Sequence, residues 1–137
     1  MSSNDNASNE VSKYFDLHIH GIGYLNRVRE VTPEGGTPFL SVNIAALRGH
    51  VDNVQHTYFD CVVSGEEAKD LVRQLQPMVE AKQKVLVGVQ LSDLQAETFT
   101  FKQGDQSGGT GISLKSRLLR FKWIKVNGTP FPAEATA

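Results

Sequence analysis

The 137-residue chain lacks a second cysteine, a long apolar run and a secretory signal, and each absence excludes a class of protein. Its single cysteine, Cys61, excludes an internal disulfide and a cysteine-based zinc site. It has no run of about 18 apolar residues, so we expect no transmembrane helix and no membrane partner. The N-terminal stretch "MSSNDNASNEVSK" lacks the apolar segment of a secretory signal. With 39% hydrophobic and 21% charged residues and a net charge of −1, we expect one ordinary cytoplasmic domain.

A stretch near the N-terminus, "FDLHIHGIG", carries alternating side chains that could bind a metal ion. Asp16, His18 and His20 leave one face of an extended strand, and imidazole with carboxylate suits zinc. Amidohydrolase-type enzymes use such a D-x-H-x-H strand, but their barrel needs about 250 residues. The other histidines, His50 and His56, lie in or beside a loop. We therefore expect a half-exposed strand face, with no catalytic residues and no cofactor, and keep a metallohydrolase as the third hypothesis.

Period-two hydrophobicity predicts three strands in the first half of the chain. The predicted strands are residues 14–31, 39–47 and 56–65. Gly21 and Gly23 permit a bend in the first strand, as at a barrel corner. In the third strand, Phe59 and Cys61 are predicted to face the core and Tyr58 to face outward. A cysteine in this inward position is expected to be unreactive.

The hydrophobic period changes to that of a helix after residue 65. Ser64 is predicted to be the N-cap, with Glu67 closing a capping box, and Pro77 to end or kink the helix. A fourth strand, "KVLVGVQLSD", is followed by "ETFTFKQGD", which continues it or starts a β-arm. After a flexible loop tip, "QSGGTG", a last long strand is predicted over residues 112–128.

The order strand, strand, strand, helix, strand, strand is the chain order of an OB-fold barrel. We therefore predict a mainly β protein, a five-stranded OB-fold barrel with one helix between strands 3 and 4. The OB-fold domain is expected to span residues 14–128. A disordered N-terminal arm (1–13) and a flexible C-terminal tail (129–137) are expected to flank it.

Four segments carry a resemblance to a known family: "GYLNRVREV", "PFLSVNIAAL", "HTYFDCVVSGEEAKDLV" and "KVLVGVQL". Over roughly residues 20–127 the chain resembles the bacterial single-stranded DNA-binding proteins of the OB-fold type. Tyr58, the pair Val62 and Val63, and Gly65 occupy that family's places for an aromatic, a valine pair and a glycine before the helix. The chain also resembles the family of such proteins encoded on integrative and conjugative elements. That resemblance implies a role in replication or transfer of a mobile genetic element.

The sequence departs from the family pattern at three places. Ser64 stands where the family carries an aromatic residue before the third-strand glycine. Leu47 and Arg48 stand where the second strand often ends in a tryptophan. A long acidic C-terminal tail is also missing. These departures predict a weaker or differently arranged DNA site.

The last third of the chain is locally basic. Six basic residues lie between positions 102 and 125, where the only acidic residue is Asp105, and aromatic residues are interleaved with them. Cationic side chains neutralise phosphates, and aromatic rings stack on bases at about 1–3 kcal/mol per base. The predicted nucleic-acid-binding residues are Tyr24, Arg27, Arg29, Phe39, Arg48, Tyr58, Phe99, Phe101, Lys102, Lys115, Arg117, Arg120, Lys122 and Trp123.

The orientation of several of these aromatic residues stays open. Phe99 and Phe101 share parity, so one face carries both, either toward DNA or toward the core. Phe121 and Trp123 share parity with basic residues of the last strand. That mixed face is either core near its middle or a binding face throughout, and parity alone does not decide.

These patterns predict a non-enzymatic protein that binds single-stranded DNA with little sequence specificity. The alternative is a protein-interaction OB module, in which the basic strand meets an acidic surface of a second copy or of a replication protein. Because edge strands of such barrels often pair between subunits, a homo-oligomer is compatible with either hypothesis.

Overall fold

The computed structural model describes residues 15–102 and 108–132. The predicted N-terminal arm (1–13) lies outside the described residues, as do residues 133–137 of the predicted tail. The elements are β1 (His18–Val31), β2 (Phe39–Arg48), β3 (Gln55–Val63), α1 (Glu66–Glu80), β4 (Val85–Thr100), β5 (Thr110–Val126) and β6 (Thr129–Pro130). Within the described ranges, no helix is long and apolar enough to cross a membrane.

Five strands close into a barrel. β1 pairs antiparallel with β2 and with β4, β2 pairs with β3, and β4 pairs with β5. A parallel pairing of β3 with β5, from Phe59 opposite Leu114 to Val63 opposite Leu118, completes the ring. With the helix between β3 and β4, the predicted OB-fold class is confirmed.

The barrel interior is filled by one side of each strand, as the alternating patterns predict. Ile44, Leu91 and Leu118 are among the large side chains that are fully buried. Helix α1 adds Val72 and Leu75 to the same core. Because burying a leucine or isoleucine contributes about 1.5–3 kcal/mol, this interior is the main source of stability.

The helix begins differently from the prediction. Gly65 occupies the N-cap with φ 93°, and no side chain caps the helix, so the predicted Ser64–Glu67 capping box is wrong. The Ser64 N–H instead donates to the Leu118 carbonyl on β5. A glycine follows because this backbone conformation is costly for other residues. Pro77 does not end the helix, which continues to Glu80.

Two bulges in β5 determine on which side of the strand Phe121 and Trp123 lie, which the sequence left open. Leu119 and Lys122 have no partner in the β4 ladder, where Leu91 pairs with Leu118 and Val89 with Phe121. Each extra residue reverses the side to which the following residues point. Phe121 therefore packs against the core, whereas the side chain of Trp123 lies outward and is 38% exposed.

The β4–β5 pair continues beyond the barrel as an arm. Past the last β3–β5 contact, at Leu114, pairing runs on to Thr100 opposite Thr110. Phe101 N–H then donates to the Gly109 carbonyl at 2.9 Å. The segment "ETFTF" is thus a continuation of β4 that forms a β-arm, and β5 begins inside the predicted loop tip.

The first residues of the predicted C-terminal tail lie against the barrel. Thr129 and Pro130 pair with the end of β5. The Phe131 N–H donates to the Ile124 carbonyl at 2.9 Å, and its ring packs against the core. Residues 129–131 therefore extend the folded part beyond residue 128.

Gly23 lies unusually close to the backbone of the neighbouring strand β2, where it pairs with Ala46. A Cβ added at Gly23 would be 2.6 Å from the Ala45 carbonyl oxygen and 2.8 Å from the Ala46 Cα. Both are backbone atoms, which cannot move without disturbing the sheet. At Gly21, two residues earlier in β1, an added Cβ would meet nothing within 4 Å.

The substitution Gly23→Ala should lower the free energy of unfolding by about 1–3 kcal/mol, because the new methyl group overpacks a backbone contact. The matched substitution Gly21→Ala should change it by less than about 0.5 kcal/mol. Urea denaturation of the two variants checks this. Equal effects at both positions would contradict the close approach of β1 to β2.

Candidate nucleic-acid interface

The pairing of β3 with β5 brings predicted aromatic and basic residues onto one outward surface, which we call the β3–β5 face. It consists of Tyr58, Asp60 and Val62 on β3 and Lys115 and Arg117 on β5. Asp60 lies opposite Lys115, and Val62 lies opposite Arg117. Cys61 and Ser116, which alternate with these residues, are buried.

Tyr58 presents the most exposed aromatic ring on this face. Its side chain is 57% exposed and stacks on His56, with ring centroids 6.2 Å apart and an interplanar angle of 27°. Across the strands it is paired with Ala45, which in turn pairs with Tyr24. Because alanine is small, the Tyr58 ring has no bulky neighbour on the β2 side. This outward orientation confirms the strand parity predicted for Tyr58.

Both cations of the β3–β5 face have carboxylate partners. Lys115 Nζ lies 3.7 Å from Asp60 Oδ2, and Arg117 Nε lies 3.6 Å from Asp93 Oδ2. All four side chains remain partly exposed, so each ion pair is expected to contribute at most about 1 kcal/mol. Either ion pair can therefore open at little cost.

A cavity of about 220 Å³ extends this face toward β1 and β2. Arg29 and Phe39 line it together with Asp60, Val62 and Lys115. Arg29 lies near the end of β1 and Phe39 at the start of β2, on either side of the turn at residues 32–38. The cavity thus adds one cation and one aromatic ring to the surface around Lys115.

The arm carries two more aromatic residues on the same side. Phe99 and Phe101 contact each other edge to face, with ring centroids 5.0 Å apart, over Gly111. Gly111 shares strand parity with Lys115, and no register shift separates their pairings with β4. Phe99 is 44% exposed, so this face of the arm is turned to solvent rather than to the core.

A second group of predicted residues lies on a different surface, formed by β1, β4 and β5, which we call the Trp123 face. The Trp123 ring lies over Gly88, where an added Cβ would be 2.6 Å from the indole Nε1. Lys125 Nζ is 5.9 Å from the ring centroid. Arg120 Nε donates to Gln90 Oε1 at 2.9 Å.

Tyr24 adjoins the β3–β5 face, because it pairs with Ala45, the β2 partner of Tyr58, whereas the other remaining predicted residues do not join either surface. Arg48 donates to Thr57 Oγ1 and Gln55 Oε1 at the far end of β2. Arg27 lines a separate cavity near the end of α1, and Tyr24 lines it too. Lys102 follows the arm strand, and Lys122 is the exposed bulge residue of β5. The residues gathered around the β3–β5 face are Arg29, Phe39, Tyr58, Phe99, Phe101, Lys115 and Arg117.

Sequence reasoning missed the two carboxylates of the β3–β5 face. Asp60 shares the outward parity of Tyr58, but its contact with Lys115 depends on the β3–β5 pairing between distant segments. Asp93 reaches Arg117 from a register shift in β4, where its backbone has φ 58°. An aspartate just after an apolar strand was the only available signal for that irregularity.

The histidine stretch at the start of β1 is exposed. The rings of His18 and His20 lie edge to face with centroids 6.5 Å apart, and His18 Nδ1 is 3.0 Å from Gln90 Nε2. Asp16 precedes the strand. Among residues 15–102 and 108–132, no three His, Cys, Asp or Glu side chains are grouped so that they could hold a metal ion.

Comparison with known proteins places the chain in a family. A family model described as "Protein of unknown function (DUF3577)" matches residues 8–137. The chain belongs to this family. No curated protein sequence matches it. Among solved structures, it is similar to the small single-stranded DNA-binding protein from Streptomyces coelicolor, with 11% identity and a TM-score of 0.42 over 81% of this chain and 94% of that chain. A similarity of this size carries no argument about function.

Cys61 of this DUF3577 protein lies directly beneath the β3–β5 face. Its side chain is 1% exposed, and its Sγ lies 3.3 Å from Ser116 Oγ. The pKa of the Cys61 thiol is raised from 9.0 to about 11, mainly by burial, while the Ser116 hydrogen bond lowers it and the nearby Asp60 charge adds to the rise. The inward position predicted for Cys61 is confirmed.

The raised pKa of Cys61 predicts a pH dependence of stability. The unfolded thiol ionises near pH 9.0, whereas the folded thiol stays protonated up to about pH 11. The contribution of Cys61 is therefore fully present below pH 9 and is lost as the pH rises toward 11. Urea denaturation at about pH 8 and about pH 10 should show wild type losing stability relative to Cys61→Ala. A constant difference between the two proteins would contradict the raised pKa.

Proposed function

We propose that this protein binds single-stranded DNA along the β3–β5 face and the adjoining arm, with little sequence specificity and without catalysis. The observation that carries this proposal is that the exposed ring of Tyr58 shares one surface with Lys115 and Arg117. Rings for bases and cations for phosphates are the two components that a sequence-tolerant single-strand site needs.

Each component has a defined role. Arg29, Lys115 and Arg117 would contact successive backbone phosphates, the last two exchanging their carboxylate partners for phosphate oxygens. Tyr58 and Phe99 would each offer a ring face to a base. Because every base has such a face, stacking gives affinity without reading the sequence.

The carboxylates also limit the site. Asp60 and Asp93 would repel the phosphates that displace them, so affinity is expected to be lower than at a purely basic groove. This behaviour agrees with the weaker site that the departures from the family pattern predict. Duplex DNA is expected to bind less well, since its bases are already stacked on one another.

Fluorescence anisotropy of a labelled oligo-dT of about 30 nucleotides, titrated at several salt concentrations, tests the proposal. Three phosphate contacts predict a slope of log affinity against log salt of about −2. A duplex of the same length, measured in parallel, should bind more weakly. Absence of binding to the single strand at low salt would overturn the proposal.

Substitution of Tyr58 tests the stacking component. Tyr58→Ala should weaken oligo-dT binding by about 1–3 kcal/mol, whereas Tyr58→Phe, which keeps the ring, should bind nearly as well as wild type. Anisotropy titrations at one salt concentration give both values. Equal losses in the two variants would assign the effect to the hydroxyl group and contradict stacking.

Substitution of the two cations tests the phosphate component. The double variant Lys115→Gln/Arg117→Gln should make the salt slope shallower by about 1.4, because two phosphate contacts are removed. Arg73→Gln, on the exposed side of α1, removes a charge away from the face and serves as the control. An unchanged slope in the double variant would place the DNA elsewhere.

The Trp123 face supports the alternative function, a protein-interaction module. It exposes Ile22 as well as Trp123, and apolar side chains with flanking cations suit contact with a second copy or with an acidic partner. Self-association would appear in sedimentation of the wild type and be lost in Trp123→Ala. Sequence resemblance alone supports the finer assignment of a role in replication or transfer of a mobile genetic element, while a cytoplasmic location and contact with replication proteins stay predictions.

A further inference from the structure

A cavity of about 510 Å³ lies between the bulge of β1, the end of α1 and the start of β4. It is separate from the β3–β5 face. Three apolar residues form part of its wall. Its polar lining consists of Tyr24, Asn26, Arg27, Lys82, Gln83 and Lys84.

The charge of this cavity has one sign. Arg27, Lys82 and Lys84 contribute three cations, and none of the lining residues is acidic. Within the described ranges none of these three side chains forms an ion pair. Glu80, at the end of α1, does not line the cavity, and its carboxylate accepts a hydrogen bond from Gln76. Three cations around one cavity without a carboxylate favour binding of a multivalent anion.

The backbone at two of the cations is strained. Arg27 is the bulge residue of β1 and has φ 30°, and Lys82 has φ 63°. Non-glycine residues adopt such angles at a cost of about 1 kcal/mol or more, and sites of function often retain that cost. Both residues line the same cavity.

Lys82 occupies a position at which glycine is common. The Lys82 N–H donates to the Val79 carbonyl and the Gln83 N–H to the Met78 carbonyl, which is the hydrogen-bond pattern of a Schellman motif. Its left-handed residue is usually glycine. A lysine at this place adds charge to the cavity at the expense of local stability.

The C-terminal end of α1 is expected to repel an anion in the cavity only weakly. A helix C-terminus carries a partial negative charge on its unpaired carbonyls. Here the carbonyls of Pro77, Met78 and Val79 each accept a backbone hydrogen bond. Lys84 is held in place on the other side, because its backbone N–H donates to Asn127 Oδ1 at 3.0 Å.

We propose that this cavity is a binding site for a phosphate-bearing anion, held by Arg27, Lys82 and Lys84 with Asn26 and Gln83 as amide donors. The phosphate could belong to a nucleic acid strand or to a free polyphosphate, which share this chemistry. The inference does not rest on DNA binding by the β3–β5 face.

Titration calorimetry of the full chain with inorganic pyrophosphate at low ionic strength tests the site. Saturable one-to-one binding is expected, weakened about tenfold or more in Arg27→Gln and in Lys82→Gly, because each loses a charged hydrogen bond. Arg73→Gln, which removes a charge outside the cavity, should bind like wild type. Absence of saturable binding, or equal binding by all variants, would overturn the proposal.

Lys82→Gly also separates binding from folding. Glycine relieves the backbone strain at this position, so its thermal unfolding midpoint should be at least as high as that of wild type. A lowered midpoint with unchanged pyrophosphate binding would show that Lys82 serves only the helix end, and would overturn its place in the site.

Oligo-dT with a 5′-phosphate or a 5′-hydroxyl, compared in wild type and Lys82→Gly, identifies the source of the phosphate. Loss of a preference for the 5′-phosphate would assign the site to a strand end. Equal losses with both oligonucleotides would assign it to the phosphodiester backbone. Weakened pyrophosphate binding with unchanged oligonucleotide binding would assign it to a free polyphosphate. Each result supports the site.

Discussion

The parallel contact between β3 and β5 is the constraint on which the rest of the molecule depends. It joins segments that lie far apart in sequence, as the separation of 55 residues between Cys61 and Ser116 shows. Such a contact is entropically costly to close, so the buried core on its inner side must hold it. Its outer side receives Asp60, Val62 and their β5 partners as a direct result.

The same contact explains why the candidate site could be predicted only in part. Parity within β3 was enough to turn Tyr58 outward and Phe59 inward, because alternation is a local property. The approach of Lys115 to Asp60 is not local. It depends on which residue of β5 meets which residue of β3, and a single sequence does not contain that register.

Irregularities account for most of the remaining differences. The bulges at Leu119 and Lys122 separate Phe121 from Trp123, although the two residues share parity in the sequence. A bulge residue cannot be recognised from the sequence when the residues on both sides of it are typical of strands. The prediction that Ser64 is the helix N-cap was wrong for a related reason. The Ser64 backbone N–H is hydrogen-bonded to β5, and the next residue, Gly65, is the N-cap.

Cross-strand pairs of glycine and aromatic residues fix the exposed rings. Trp123 lies over Gly88, and Phe99 and Phe101 lie over Gly111. Because glycine has no side chain, each of these glycines leaves a depression in the sheet surface in which an aromatic ring can pack against the backbone. Exposed aromatic residues are thereby restricted to few orientations before any partner arrives, which reduces the entropy lost when one binds.

The arm is built from the same two strands that complete the barrel, so its ladder is continuous with the barrel sheet. The ladder is interrupted at the base of the arm, by the register shift of β4 between Ser92 and Gln95. Arg117 is tied to Asp93 at that point. A ligand that draws Arg117 away from Asp93 would therefore also remove the ion pair that joins β5 to β4 at this interruption.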